Sequence, residues 1–176
     1  MPNPYFSFKQ FTVYHDRCAM KVGTDGVLLG AWTEVSDARD ILDVGTGTGL
    51  ISLMLAQRSE AHIMAVDIDE DAVKQAEENV KNSPWPDRIE VEHHDICHFD
   101  SDIRYDVIVS NPPYFVNSLK CPDGQRNMAR HTVGLNFESL INSCGRLLSS
   151  SGRFSVIIPT DGMDEFMKIA SEDRKS

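Results

Sequence analysis

Large and polar residues alternate along Phe6-Ser-Phe-Lys-Gln-Phe-Thr-Val-Tyr14, the period-two rhythm of a strand, and Met20-Lys-Val22 is expected to pair back against it. Thr24-Asp-Gly26 predicts a cap for a short apolar helix, Val27 to Trp32. From there short apolar runs and helix-spaced stretches take turns. Ile41–Val44, Ile63–Val66, Ile89–Glu92, Val107–Val109 and Phe154–Ile158 read as strands. Leu50–Gln57 reads as a helix, and Asp69 caps another whose Ala72, Val73, Ala76 and Val80 recur at helical spacing. Phe137, Leu140, Ile141, Cys144, Leu147 and Leu148 line one face of a third helix, which stops near Ser149-Ser-Ser-Gly152. One more helix and a charged tail close the chain. This regular alternation predicts an α/β fold, a parallel sheet with helices on both faces, preceded by a hairpin and a helix. Residues 115–134 are polar, irregular and too long for a simple connection, so they are expected to form a binding loop.

Composition narrows the setting. The 176 residues suit a single domain, 1–176, with an extension over 1–35 and a core over 36–176. No apolar run is long enough to span a membrane, and no basic and apolar signal sequence follows Met1. Cys18, Cys97, Cys121 and Cys144 are scattered without a Cys-x-x-Cys pair, so neither a disulfide framework nor a zinc site is expected. His93, His94 and His98 with Cys97 match no ordered zinc template, and no metal is assigned. A reduced, cytoplasmic, monomeric enzyme fits these features. The net charge of −10 is unevenly spread: residues 36–110 carry seventeen acidic and six basic side chains, residues 111–160 two and five. The acidity falls where a cationic cofactor would sit, and the segment after it is basic, although solvated helix faces account for much of the excess.

Asp43-Val-Gly-Thr-Gly-Thr-Gly49 follows the first core strand. A dinucleotide loop wants Gly-x-Gly-x-x-Gly, but counting from Gly45 puts Leu50 in the last place. Asp-x-Gly-x-Gly-x-Gly instead resembles the first motif of the class I S-adenosylmethionine-dependent methyltransferases. Gly45, Gly47 and Gly49 would let the backbone approach the cofactor closely. Asp67, after the second strand, is placed to accept from two ribose hydroxyls, and Asp95, after the third, from the adenine amine. Asp43 adds negative potential near a sulfonium. The plain alternatives are a turn cap for Asp43 and a solvated loop acid for Asp95. Ile68 and Ile96, which follow these acids, are counted with the cofactor site.

Ser110-Asn-Pro-Pro-Tyr114 ends the fourth strand, at the crevice where open α/β sheets bind ligands. Asn-Pro and Pro-Pro pairs often only terminate strands. Here the tetrapeptide also offers chemistry. An exocyclic base amine is a poor nucleophile because its lone pair is conjugated into the ring. The Asn111 side-chain oxygen and the Pro112 carbonyl can each accept one of its hydrogens and favour a more pyramidal nitrogen. Pro113 fixes where that carbonyl points, and Tyr114 offers a stacking face. Trp32 and Trp85 read as packing residues. His131, beside Arg130, is equally a substrate contact or an exposed turn residue.

Together these motifs resemble the N6-adenine and N5-glutamine methyltransferases. Phe8-Lys-Gln-Phe11, the run Asp16-Arg-Cys-Ala-Met-Lys-Val-Gly-Thr-Asp-Gly-Val-Leu-Leu-Gly-Ala-Trp32 and Asn82-Ser-Pro-Trp85 more specifically resemble the bacterial tRNA1(Val) adenine-37 N6-methyltransferases. The resemblance implies S-adenosylmethionine as cofactor, tRNA as partner, and methylation of adenine 37 flipped from the anticodon loop. It places Thr24, Asp25 and Gly26 beside the methionine end of the cofactor and Lys21 near the substrate entrance, with Arg126, Arg130 and His131 as further substrate contacts. Class I sheets usually have seven strands. Five are predicted here, so strands six and seven are expected to be missing from a C-terminally truncated chain. The rival readings are glutamine methylation of a protein, whose enzymes carry a helical amino-terminal domain, and a cofactor- or RNA-binding relative without chemistry.

Overall fold

The computed structural model describes residues 3–18, 20–113 and 136–173. Strands β1 (Tyr5–Ser7) and β2 (Thr12–Tyr14) form an antiparallel hairpin, followed by helix α1 (Thr24–Trp32). The core alternates β3 (Asp40–Val44), α2 (Leu50–Arg58), β4 (His62–Asp67), α3 (Glu70–Lys81), β5 (Ile89–His93) and β6 (Tyr105–Ser110). It continues with α4 (Phe137–Leu147), β7 (Leu148–Val156), a single 3₁₀ turn and α5 (Met163–Asp173). The five core strands are parallel in the order β5-β4-β3-β6-β7. The chain therefore reverses its winding between β3 and β6, which opens a crevice beyond their carboxyl ends.

Both faces of this sheet are covered, as its apolar strands require. Ile41, Ile63, Ala65, Ile89, Val107 and Val109 pack against α1, α2 and α3, and the hairpin adds Phe11 and Val13. On the opposite face Leu42, Val44, Val66 and Ile108 meet Leu140, Cys144 and Leu147 of α4. Phe166 of α5 packs edge-on to Phe137, with ring centroids 5.3 Å apart. Asp69 and Asn136 cap α3 and α4, accepting from the backbone N–H of Asp71 and Ser139 at 2.9 and 2.8 Å.

Four local expectations are corrected. Met20–Val22 forms no strand, because the turn Phe8–Phe11, closed by an N–H to carbonyl bond of 2.8 Å, folds the first aromatic run back on itself. Thr24, Asp25 and Gly26 are the first turn of α1 and not its cap, a position held by Gly23 without a side-chain bond. Ser149–Gly152 is not a stop between helix and strand: α4 runs directly into β7, whose pairing jumps from Leu148 opposite Tyr105 to Arg153 opposite Val107. A Cβ on Gly152 would lie 2.7 Å from Leu148 and 2.9 Å from the Tyr105 carbonyl, so this bulge excludes side chains. Trp32 is 87% exposed, because α1 turns Gly26, Leu29 and Gly30 inward instead. Gly30 lies where a Cβ would come within 2.8 Å of the Met54 sulfur, and Leu28 and Trp32 are left outside. Trp85 does pack, edge-on against Phe11 at 5.8 Å.

Candidate active site

The glycine loop joins β3 to α2, and all three of its glycines sit in the left-handed region, with φ of 73° at Gly45, 57° at Gly47 and 79° at Gly49. That conformation costs an L-residue roughly 1–2 kcal/mol. It is imposed by two bonds from Gly45 and Thr46 N–H to the Val66 carbonyl, 2.9 and 3.1 Å, which bend the loop over the end of β4. A Cβ at Gly45 or Gly47 would meet nothing within 4 Å, so both face open space, whereas one at Gly49 would touch Ala76 of α3 at 3.4 Å. Two glycines thus leave room above the loop, and the third lets a helix approach it.

Beneath the loop lies Asp43, wholly buried. Its Oδ2 accepts from the hydroxyls of Thr46 and Ser52 at 2.8 and 2.6 Å, while Oδ1 has no hydrogen-bond partner. Burial pushes its pKa up to about 6 against the pull of those hydroxyls. A buried carboxylate this poorly compensated attracts a cation to the space above it. Asp67 stands one strand over, its two oxygens accepting from Gly47 N–H (2.8 Å) and Asp69 N–H (2.9 Å). Each oxygen keeps a lone pair for another donor. Burial raises its pKa despite those N–H groups. Asp95 follows β5 and is more exposed. Partial burial opposes its charge, but the Cys97 N–H and the His98 ring, both at 2.9 Å, outweigh it and hold the pKa below the usual carboxylate value.

The loop and Asn111 become neighbours because β3 and β6 are paired with Val44 opposite Ser110. The Ser110 hydroxyl donates to the Val44 carbonyl at 2.8 Å, pinning the two strand ends together. Asn111 is half-buried, Pro112 buried and Pro113 exposed. Helix α1 closes the third side: a Cβ on Gly26 would lie 3.9 Å from the Asn111 side-chain nitrogen. The amino-terminal run is thereby brought beside the strand-end asparagine. Thr24 and Lys21 are exposed near it in sequence. Ile68 is 61% exposed at the end of β4, but the Ile96 side chain is buried in the core with Val44 and Phe99, so it offers a ligand no side-chain surface. Tyr114, Arg126, Arg130 and His131 lie outside the described residues.

Residues 19–167 match the family described as methyltransferase small domain. The chain is 70% identical, over 97% of its own length and 73% of the relative's, to the tRNA1(Val) (adenine(37)-N6)-methyltransferase of Phocaeicola vulgatus. It is 60% identical to the enzyme of that name from Bacteroides thetaiotaomicron, over 98% and 73% of the two chains. The chain belongs to this methyltransferase family. The fold agrees with that of an O-methyltransferase from Thermotoga maritima, with a TM-score of 0.65 at 20% identity over 87% of this chain and 51% of that one.

The methyltransferase uses S-adenosylmethionine, and the crevice fits that molecule in kind: open space over two glycines, a buried carboxylate with one unpartnered oxygen below, and acids at the next two strand ends. A cavity of about 310 Å³ lined by Asp40, His62 and Ile89 lies at the amino ends of the strands, away from this chemistry. The histidines after β5 each have their own partner: His93 the Ile68 carbonyl, His94 Glu92, and His98 Asp95. Among the described residues no helix is long and apolar enough to cross a membrane.

Two polar residues at this site escaped the sequence reading. Gln75 and Asn79 are each 1% exposed on α3 and bond to the segment that follows the hairpin and to the glycine loop. Their only signal is position: both fall on the apolar stripe of Ala72, Ala76 and Val80, where a solvated amide does not belong.

Proposed function

We propose that this chain methylates N6 of adenine 37 in tRNA1(Val), acting as a cytoplasmic monomer. The observation that supports it best is Asn111-Pro112 at the end of β6, held against the glycine-loop strand by Ser110 and flanked by Gly26. When bound, S-adenosylmethionine supplies an electrophilic methyl. Asp67 takes the ribose hydroxyls, Asp95 the adenine amine of the cofactor, and Asp43 the field that favours its cationic end. Thr24 borders the methionine portion. Asn111 and Pro112 accept the two hydrogens of the target amine, orient it and raise its nucleophilicity. Tyr114 stacks on the flipped base, returning about 1–3 kcal/mol of the few kcal/mol spent on unstacking. Lys21, Arg126, Arg130 and His131 hold the tRNA. No strong base is required, since the methylated cationic amine loses its proton to water or to the same acceptors.

The test is transfer of labelled methyl from S-adenosylmethionine into total tRNA and into total protein from cells lacking the activity. Label is expected in tRNA, and label confined to protein would transfer the assignment to glutamine methylation. Asn111→Ala should lower single-turnover transfer by at least 100-fold at unchanged cofactor affinity, the scale of losing one oriented hydrogen-bonding group.

A further inference from the structure

The Asn79 side chain is a junction. Its Oδ1 accepts the Tyr14 N–H at 2.9 Å, and its Nδ2 donates to the Tyr14 carbonyl and to the Thr48 carbonyl, both at 2.8 Å. Both backbone groups of Tyr14 are thus satisfied by one amide, as a neighbouring strand would satisfy them. The same amide holds Thr48, between Gly47 and Gly49, and Thr48 is itself 6% exposed. One turn earlier on α3 the Gln75 side-chain oxygen accepts from Arg17 N–H at 3.3 Å, and the Arg17 side chain pairs with Glu78 at 3.2 Å. Cys18 follows. Its thiol is pushed up to about 11, by burial first and then by the charges of Asp67 and Asp69. From there the chain leads to α1 and to Gly26 beside Asn111.

We propose that Asn79 is a positioning residue for cofactor binding: its one buried amide joins the amino-terminal hairpin to the glycine loop, so that the loop's affinity for S-adenosylmethionine depends on the hairpin being docked. This rests on the methyltransferase reading of the loop. Without the amide, the Thr48 carbonyl loses its anchor and the Tyr14 backbone is left to find water. The Thr48 end of the loop and the hairpin then lose the side chain that ties them together. Coupling of this kind is reciprocal: a ligand on the loop must also tighten the hairpin.

That reciprocity provides a test in the unaltered chain. Hydrogen exchange at the Tyr14 and Arg17 amides is followed with and without saturating S-adenosylhomocysteine. Exchange at both is expected to slow at least 10-fold, since each opens only when the hairpin leaves α3. Binding without added protection at Tyr14 would overturn the proposal and leave the methyltransferase reading intact. No binding at all would overturn both. In parallel, Asn79→Ala is expected to weaken S-adenosylhomocysteine binding about 10-fold and to raise KM for S-adenosylmethionine with kcat nearly unchanged. Wild-type affinity in a folded Asn79→Ala protein would overturn the proposal. If that variant does not fold, the exchange measurement decides alone.

Discussion

Replacing Asp43 with asparagine should make the unliganded protein relatively more stable at neutral pH while weakening its hold on the cofactor. The carboxyl is wholly buried, and its pKa rises from 3.8 to about 6 chiefly through desolvation. A folded-state pKa above the unfolded value means the group costs stability once ionised. The cost is absent below pH 3.8, grows between 3.8 and about 6, and is complete above. At 1.36 kcal/mol per unit it reaches about 3 kcal/mol at pH 7.5, of which roughly 1 kcal/mol is already present at pH 4.5. The asparagine has no charge to ionise. It keeps an oxygen for Thr46 and Ser52 but places an amide hydrogen where Oδ1 has no partner, a cost of about 1–3 kcal/mol at every pH. That constant cancels when the two proteins are compared across pH.

Urea unfolding at pH 4.5 and 7.5 should therefore show the variant gaining about 2 kcal/mol relative to wild type between the two. Cofactor binding should change in the opposite sense. A cation above the loop can return at most what burial took from the carboxylate, about 3 kcal/mol, so Asp43→Asn should weaken S-adenosylmethionine binding by between 10- and 100-fold at pH 7.5. Wild-type affinity should rise as pH increases through about 6 and then level, and the variant's should not. Parallel pH–stability curves would show that burial does not outweigh the hydroxyl bonds at Asp43. Unchanged calorimetric affinity would show that its field is not directed at the cofactor.

Asp67→Ala should weaken S-adenosylmethionine binding by about 1–3 kcal/mol in calorimetry, because it removes the proposed ribose acceptor and releases Gly47 and Asp69 N–H groups together. Unchanged affinity would remove Asp67 from the site. Gly47→Ala should lower the unfolding free energy by roughly 1–2 kcal/mol, since φ is 57° and the added methyl, in open space, recovers no contact. A fully stable variant would mean that the loop is not held left-handed. Trp32→Ser should change stability by less than about 0.5 kcal/mol, because the ring is 87% exposed; a larger loss would show that something in the protein covers it.

The parts of the site that were legible in the sequence are those where geometry constrains residue type. Left-handed backbone at three alternate positions writes Gly-x-Gly-x-Gly, and the acids gather at the carboxyl ends of three parallel strands, Asp43 and Asp67 in the last residues of β3 and β4 and Asp95 just past β5. Strand pairing then brought Asn111 to the loop as the order of elements implies. What stayed hidden depends on tertiary contacts. Helix α1 is apolar nearly all round, so nothing in its pattern shows that Gly26, Leu29 and Gly30 are the buried side and Leu28 and Trp32 the open one. Ile96 follows Asp95 past a strand end, yet its side chain is buried in the core with Val44 and Phe99, which its place in the sequence does not show. Asn79 lies 65 residues from Tyr14, and no local rule foretells that pairing.

The charges also divide the work. The acids Asp43, Asp67 and Asp95 stand at the carboxyl ends of β3, β4 and β5, on the proposed cofactor side. On the acceptor side β6 ends in a neutral amide and two prolines. A carboxylate beside the target amine would be a competing acceptor for the methyl group and would carry a desolvation cost in a closed site. An amide oxygen and a carbonyl can hold two hydrogens without either liability. The rate advantage then comes from orienting two reactants at bond-forming distance, an effect worth up to roughly 7–11 kcal/mol when the geometry is held. In the proposed site that geometry would rest on neutral contacts between distant segments: Ser110 on Val44, Gly26 against Asn111, and Asn79 across Tyr14 and Thr48. In such a site the residues that fix distances matter to the reaction as much as those that touch the substrate.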